Sequence, residues 1–563
     1  MDIQNLRWWG WGTADREYSL EGRRAFWPSL QEWLGLLGGA VERETPPVAL
    51  EDISLRPSRL DDPVLASLQA LLGERAVRID KLARVGHAYG KSYCDLVRIR
   101  AGHIPNPPDA VAYPVDQRQI CSFLAWAADR DIVIIPFGGG SSVVGGVEPP
   151  EDDERPVITL DLANLGRVLC VDPISRVARI QAGAKGPEVE SQLNTHGFTL
   201  GHFPQSFEFS TLGGWIATRA AGQNSIGYGR IGDITQAVRV VTPSGVVETK
   251  DTPSTAAGPS LLHMLVGSEG TCGVITEATM RIHPLSAVQD YRGIFFRNLE
   301  DGIAACRDLV QSADLRPSIL RLSDAPETVS YAVLNHEHRG LRRLTDTFLQ
   351  RYLKAQGYDS DSGNTFMLLG FDGGAKQVAR QWDRALEMCG DHQGCSLGQA
   401  IGQSWVHERY VQPYLRDTLL DHGVMVDTLE TATGWSNLMH LYESMATVMR
   451  GAIPVSGGGP GYVMTHISHA HKHGASLCAT FLGRQVDDPD PLAKQAQWQA
   501  IKQTTTDAIL AAGGTLTHHH GIGRDHTPWI EKEVGSLGVQ VLEALKRTLD
   551  PTGIMNPGVL LIP

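Results

Sequence analysis

An α+β or α/β chain of two or three packed units is what this sequence predicts, and three observations carry that prediction. The chain has 563 residues, 42% of them hydrophobic and 20% charged, which is more apolar material than one core holds. Helix-period and strand-period stretches alternate along most of its length. Its 60 glycines gather in a few short loops, where backbone turns tightly or comes close to a ligand.

Taken in order, residues 1–105 carry charge, tryptophans and prolines and end in Ile104-Pro-Asn-Pro-Pro-Asp109, which cannot be regular helix. This stretch reads as an N-terminal helical and aromatic region. From 116 to 130, Ile120, Phe123, Leu124 and Ala127 fall at helical spacing behind a capping Asp116, and Asp131-Ile-Val-Ile-Ile135 reads as a buried strand. Val157 to Leu162 and Val177 to Gln181 read as strands. Gly186 to Gly197 reads as a helix with Pro in its first turn and Gly at its end. We expect one unit over 106–285. A second, over 286–500, alternates helices such as Leu299 to Ala313 and Lys376 to Glu387 with strands such as Thr365 to Phe371. Residues 501–563 hold helices at Gln497 to Ala512 and Val534 to Leu549, separated by a His-rich turn, and are expected to pack back on the 106–285 unit.

Composition narrows the function. A formal charge of −13 argues against nucleic acid as partner and against broad attraction to anionic lipid. The eight cysteines are scattered with no Cys-x-x-Cys pair, and the amino terminus lacks a basic-then-apolar leader, so a cytoplasmic protein is expected.

Three glycine loops carry the chemistry. Pro136-Phe-Gly-Gly-Gly-Ser-Ser-Val-Val-Gly-Gly146 follows a strand, and its successive glycines let backbone amides converge on an anion such as a pyrophosphate. It has no Gly-Lys-Ser/Thr ending and no third Rossmann glycine, which weakens both of those readings. A carboxylate at Gly139 is expected to expel the ligand by facing the pyrophosphate and filling space that the backbone needs. Phe209-Ser-Thr-Leu-Gly-Gly-Trp-Ile-Ala-Thr-Arg-Ala-Ala-Gly222 and Val266-Gly-Ser-Glu-Gly-Thr-Cys-Gly-Val-Ile275 are the second and third loops.

In that order the three loops resemble the FAD-binding domain of flavoenzymes of the vanillyl-alcohol-oxidase type. The resemblance implies an α+β fold: a two-subdomain FAD-binding domain with an α+β cap domain over the flavin. It also implies noncovalent FAD held by Pro136, Phe137, Gly138, Gly139, Gly140, Ser141, Ser142 and Val143; by Pro204, Gln205, Ser206, Ser210, Thr211, Gly213, Gly214, Ala217, Thr218, Arg219 and Ala220; and by Glu269, Gly270, Thr271, Gly273, Val274 and Ile275.

Within that type the chain is most similar to the alkylglycerone-phosphate synthase (alkyl-dihydroxyacetonephosphate synthase) family. The likeness runs from Arg7-Trp-Trp-Gly-Trp-Gly12 through Ile319-Leu-Arg-Leu-Ser-Asp324 and Leu429-Glu-Thr431 to Thr517-His-His-His-Gly-Ile-Gly523. It implies ether-lipid synthesis: the acyl chain of acyl-dihydroxyacetone phosphate is exchanged for a fatty alcohol without net redox change. The alternative is an FAD-dependent oxidase or dehydrogenase of an alcohol or 2-hydroxy acid. His518, His519 and His520, on a tight turn before Gly521, suit acid/base work near neutral pH. Arg416 matches a substrate-binding arginine of the family and Arg321 another active-site arginine. Thr428 stands where the family has Ser, Gln205 where it has Asp, and Cys94 where it has His. Cys478 occupies the position of the family's catalytic Tyr and Thr480 that of a second Tyr. No metal is assigned; His466, His469, His471 and His473 fit a strand end or exposed turn at least as well as a metal site. A lipid-like small-molecule substrate, a homodimer and peripheral membrane contact complete what the resemblance implies.

Overall fold

The computed structural model describes residues 5–18, 20, 23, 25–36, 45–334 and 363–562. Residues 1–4 of the leader reading, and 335–362 within the 286–500 unit, lie outside the described residues.

Two small sheets carry the glycine loops. One is four-stranded, in the order Val77–Arg78, Ala110–Ala112, Val157–Asp161, Val133–Phe137, and its last three strands are parallel. The other is five-stranded and antiparallel, running Val168–Asp172, Val177–Gln181, Val274–Arg281, Thr235–Thr242, Gly245–Glu248. Helix Gln117–Ala128, capped by the Asp116 side chain on Gln119 N, buries Ile120, Phe123, Leu124 and Ala127 in the core the two sheets share. The predicted 131–135 strand is displaced to Val133–Phe137, because Asp131 sits at φ 52 and closes the preceding turn.

A seven-stranded antiparallel sheet forms the second half. Its order is Cys395–Gly398, Val288–Phe296, Thr365–Gly373, Ile319–Ser323, Tyr462–His471, Gly474–Arg484, Val424–Gly434. Strand alternation divides its two faces. Leu320, Leu322, Val463, Ile467, Leu477, Ala479, Phe481, Met425 and Leu429 point back into one large core with helices Leu438–Val455 and Pro491–Ala511. Their alternates on the front face line a cavity.

The described residues of 1–105 contribute to both cores. Leu68 and Leu72 join the core of the two small sheets, and Tyr93 and Leu96 join that of the large sheet. Helix Tyr93–Arg100 starts on a reciprocal cap, Ser92 Oγ accepting from Asp95 N at 3.0 Å while Asp95 Oδ2 accepts from Ser92 N at 2.9 Å. The C-terminal tail returns to the first glycine loop: Ile134 N donates to Ile554 O at 2.8 Å and Asn556 N to Ile134 O at 3.0 Å.

Candidate active site

A cavity of about 540 Å³ lies between the glycine loops and the front face of the seven-stranded sheet. Its first wall is the loop after Val133–Phe137. The main-chain N–H groups of Gly138, Gly139, Gly140, Ser141 and Ser142 donate to no protein acceptor among the described residues, leaving a row of amide dipoles for an anionic ligand. A Cβ on Gly139 would stand 2.0 Å from the Phe209 carbonyl oxygen, and one on Gly138 would stand 2.2 Å from Thr211 Oγ1. The space that the sequence reading reserved for backbone at Gly139 is thus taken up by the neighbouring loop, so even an uncharged side chain is excluded there.

Of the residues assigned to the cofactor, those from Pro136 to Val143 line this cavity, as do Pro204, Gln205, Ser206, Ser210, Thr211, Gly213, Gly214, Ala217, Thr218, Ala220, Glu269, Gly270, Gly273 and Ile275. Three stand off it. Arg219, at φ 54, ends helix Leu212–Thr218, and its side chain runs beside Gly267. Thr271 Oγ1 donates to Ser268 O at 2.7 Å, and Val274 is packed in the sheet core. Free amides on an all-glycine turn and a long concave wall fit a dinucleotide such as FAD.

The sheet floor is graded from polar to apolar by its register. Ser323, His466, Cys478 and Glu430 stand opposite one another across four strands; the next rank is Met464, Thr480, Thr428, and the next Tyr462, Leu482, Val426. Beyond the apolar end, Phe26 and Leu30 of helix Phe26–Trp33 pack with Leu419, Val424 and Leu482 and close the chamber.

At the polar end Glu430 organises the histidine turn. Its carboxylate accepts from Thr517 Oγ1 at 2.5 Å, His518 N at 2.8 Å, and His519 N and His520 N at 2.9 Å each. His519 Nδ1 lies 3.2 Å and His520 Nδ1 3.9 Å from the same group. Burial opposes ionisation of Glu430, but the histidines around it prevail and hold its carboxyl well below the usual range. Burial pushes His520 down to about 4, so it is a neutral imidazole at pH 7. His519 and His520 line the cavity. His518 stands behind them, its Nε2 3.3 Å from His471 Nε2 and its Nδ1 3.2 Å from His519 Nδ1.

Cys478 lines the cavity, but burial pushes its thiol up, which sets it against thiolate or acid/base chemistry at neutral pH. Cys94 is packed in the core of the large sheet, away from the cavity. His469, His518 and His519 each place a nitrogen within 4.8 Å of the others, a spacing that a metal ion could use. His469 nevertheless has both nitrogens engaged, Nε2 at 3.0 Å from Gly222 O and Nδ1 at 3.0 Å from Ser468 Oγ. With Nε2–H donating to the Gly222 carbonyl, the Nδ1 lone pair is the one that meets the Ser468 hydroxyl, so protein hydrogen bonds account for this imidazole.

Both predicted arginines line the cavity. Arg416 Nη1 donates to Lys91 O at 2.7 Å, and Lys91 N donates to Ser142 O at 2.6 Å, which ties this arginine to the first glycine loop. The Arg416 helix, Gln412–Asp421, is braced by the aromatic start of the chain: Asp417 accepts from Trp11 N at 2.7 Å and pairs with Arg7 at 3.5 Å. Arg321 Nη2 donates to Glu327 at 2.9 Å. The Nε atoms of both arginines are buried with no partner among the described residues, so each guanidinium keeps donor capacity for an anion. Thr428 and Gln205 also line the cavity, Gln205 donating to Arg409 O at 2.6 Å.

Sequence reasoning passed over Glu430, Glu327 and the engagement of Glu269. The Glu269 carboxylate accepts from Ile522 N at 2.7 Å and Gly523 N at 2.8 Å, locking the histidine turn to the third glycine loop. A signal for Glu430 was available: a Glu inside an alternating strand pattern, aligned with apolar or small residues, needs a buried partner.

Comparison with known proteins follows from this geometry. Residues 108–250 match the family model for an FAD binding domain, and 285–560 that for the C-terminal domain of FAD linked oxidases. The alkyldihydroxyacetonephosphate synthase of Dictyostelium discoideum is 34% identical over 518 residues, 92% of this chain and 84% of that protein. The one from Trypanosoma brucei brucei is 35% identical over 532 residues with the same coverage. A solved alkyldihydroxyacetonephosphate synthase superposes with TM-score 0.84 at 31% identity, covering 99% of this chain and 98% of that one. p-Cresol methylhydroxylase, at TM-score 0.64 and 15% identity over 90% of this chain and 98% of its own, shares the fold.

Proposed function

The chain belongs to the alkyldihydroxyacetonephosphate synthase family of FAD-dependent enzymes, and on that premise we propose that it exchanges the acyl chain of acyl-dihydroxyacetone phosphate for a fatty alcohol. The observation that carries this reading is one cavity with two kinds of lining: two guanidiniums with unpaired Nε atoms and a histidine turn, and an apolar chamber of Leu30, Phe26, Leu419 and Leu482. A phosphorylated head and a long aliphatic tail match those two linings.

FAD would be held by the free amides of Gly138 to Ser142, with the Leu212–Thr218 helix start and the Glu269-Gly270 loop along the same wall. When bound, it supplies an electron-accepting ring system beside the reacting carbon. The chain's own groups do the rest. Arg416 and Arg321 anchor the anionic head and orient the substrate. His520, whose backbone N–H is held by Glu430, takes the α-proton, a task for a neutral imidazole, with His519 beside it on the same turn. The apolar chamber takes the chains and keeps water from competing with the alcohol.

The test is an exchange assay. FAD-loaded protein given acyl-dihydroxyacetone phosphate and 1-hexadecanol is expected to yield hexadecyl ether and free fatty acid in equal amounts, without oxygen uptake. Bound FAD without exchange contradicts the reading. Arg416→Ala is expected to raise KM for the phosphorylated substrate about 30-fold or more with FAD retained, since it removes a charge-assisted anchor. The same reading includes a homodimer that meets lipid surfaces peripherally; gel filtration and vesicle flotation check both. No helix among the described residues is long and apolar enough to cross a membrane.

A further inference from the structure

Opposite the histidine turn, across Cys478, the floor carries a second imidazole station. His466 stands on strand Tyr462–His471 with its Cα paired to that of Cys478, and it lines the cavity. Its Nδ1 lies 2.9 Å from Glu327 Oε1, and Arg321 Nη2 reaches the same carboxylate at 2.9 Å and His466 Nδ1 at 3.2 Å. The shorter contact, to a charged acceptor, assigns the proton to Nδ1. Nε2 has no protein partner among the described residues. A buried carboxylate that fixes the tautomer, with the other ring nitrogen open toward a cavity, is the arrangement of a general base and its orienting partner. Glu327 is 5% exposed, and Asp324 Oδ1 accepts from Glu327 N at 2.9 Å, so the orienting group is itself held.

We propose that His466 is the general base for the incoming alcohol, with Glu327 and Arg321 as positioning residues. This rests on the exchange reading above. In the step, the alcohol O–H bond breaks and its proton passes to His466 Nε2 while the alcohol oxygen forms the new C–O bond. Over the whole exchange the acyl carboxylate leaves with the electron pair of its own C–O bond, and the proton passes from Nε2 to that carboxylate or to solvent. No oxidant or reductant is consumed. His466 is well placed for this because Met464, the next cavity-lining residue on its own strand, packs against the apolar chamber that receives an alkyl chain. Burial and the Arg321 charge lower its pKa, leaving it an unprotonated base at neutral pH. The other titratable or charged groups around it are Asp324 and Glu327 at the start of helix Ala325–Leu334, Cys478 and Glu430 on the neighbouring strands, and His519 on the C-terminal turn.

The experiment compares wild type, His466→Gln and Glu327→Gln, all carrying bound FAD, with 1-hexadecanol and with its more acidic 2,2-difluoro analogue as acceptors. His466→Gln is expected to be roughly 100-fold slower than wild type with 1-hexadecanol and several-fold slower at most with the difluoro alcohol, which needs less help to lose its proton. Glu327→Gln, which keeps the imidazole, is expected to show the same selectivity with a smaller loss. It decides the matter if His466→Gln does not retain FAD. Equal losses with both alcohols make His466 a merely structural group and overturn the proposal, as does an unimpaired His466→Gln. If wild type exchanges neither alcohol, the underlying reading falls, and this proposal falls with it.

Discussion

Glu430 shows how much of the site hangs on one side chain. It receives the amides of three successive histidines and a threonine hydroxyl, so the turn that presents His519 and His520 is built on an ionised, buried carboxylate. Glu430→Gln puts an NH₂ group among those donors. It is expected to cost about 2–4 kcal/mol of stability and to remove most turnover, read by denaturant unfolding and by the exchange assay. Gly139→Ala is a second residue-scale test. Its Cβ would meet the Phe209 carbonyl at 2.0 Å, so loss of flavin is expected without any added charge; a purified variant with full flavin absorbance contradicts it. The glycine loops and the histidine triple were legible in sequence because their residue types announce their chemistry, whereas Arg321 and Arg416 came from the family resemblance. Glu430 was not legible and His466 was visible only as one of a histidine cluster, because their places come from cross-strand register, which brings residues 323, 466, 478 and 430 into one rank; Glu327 reaches His466 from helix Ala325–Leu334.

At the scale of elements, helix Phe26–Trp33 acts as the end wall of the apolar chamber. Leu30 is fully buried there against Leu419 and Leu482. Leu30→Ala is expected to cost about 2–5 kcal/mol and to lower the discrimination among fatty alcohols of different length, measured as kcat/KM across a chain-length series. Strongly periodic elements were readable: the expected 365–371 strand is Thr365–Gly373, and the expected 376–387 helix is Ala375–Asp391. Of the 466–473 histidines, His471 ends its strand and His473 lies in the hairpin turn, as expected, but His466 and His469 are buried within strand Tyr462–His471 and line the cavity, because the strand runs on past them. The expected 534–549 helix is the long part of Ile530–Leu549, which Gly535 at φ 74 breaks from a short first stretch that the sequence pattern does not show.

Across the whole molecule, the C-terminal segment joins the two halves. Glu269 holds Ile522 and Gly523, while Asn556 Nδ2 donates to Glu269 O at 2.7 Å and Gly146 O at 3.1 Å. Burial raises the Glu269 carboxyl from 4.5 to about 7. The folded state therefore keeps a proton that the unfolded chain has lost between those values, and the stabilising contribution fades as pH rises. The stability of wild type relative to Glu269→Gln is expected to fall by roughly 3 kcal/mol between pH 4.5 and 7 and to be flat outside that window. Unfolding of both proteins over a pH series checks it, and a difference independent of pH contradicts it. This long-range clamp had no local signature in sequence, since its partners are more than 250 residues apart.

The central claim, an FAD enzyme that exchanges an acyl chain for an alkyl chain without net redox change, is tested most directly by following the flavin spectrum anaerobically during turnover, with ether and free acid quantified in the same cuvette. The account predicts many equivalents of ether and acid in a one-to-one ratio, with the flavin oxidised at the end. Stoichiometric bleaching of the flavin by substrate, with no ether formed, would contradict it.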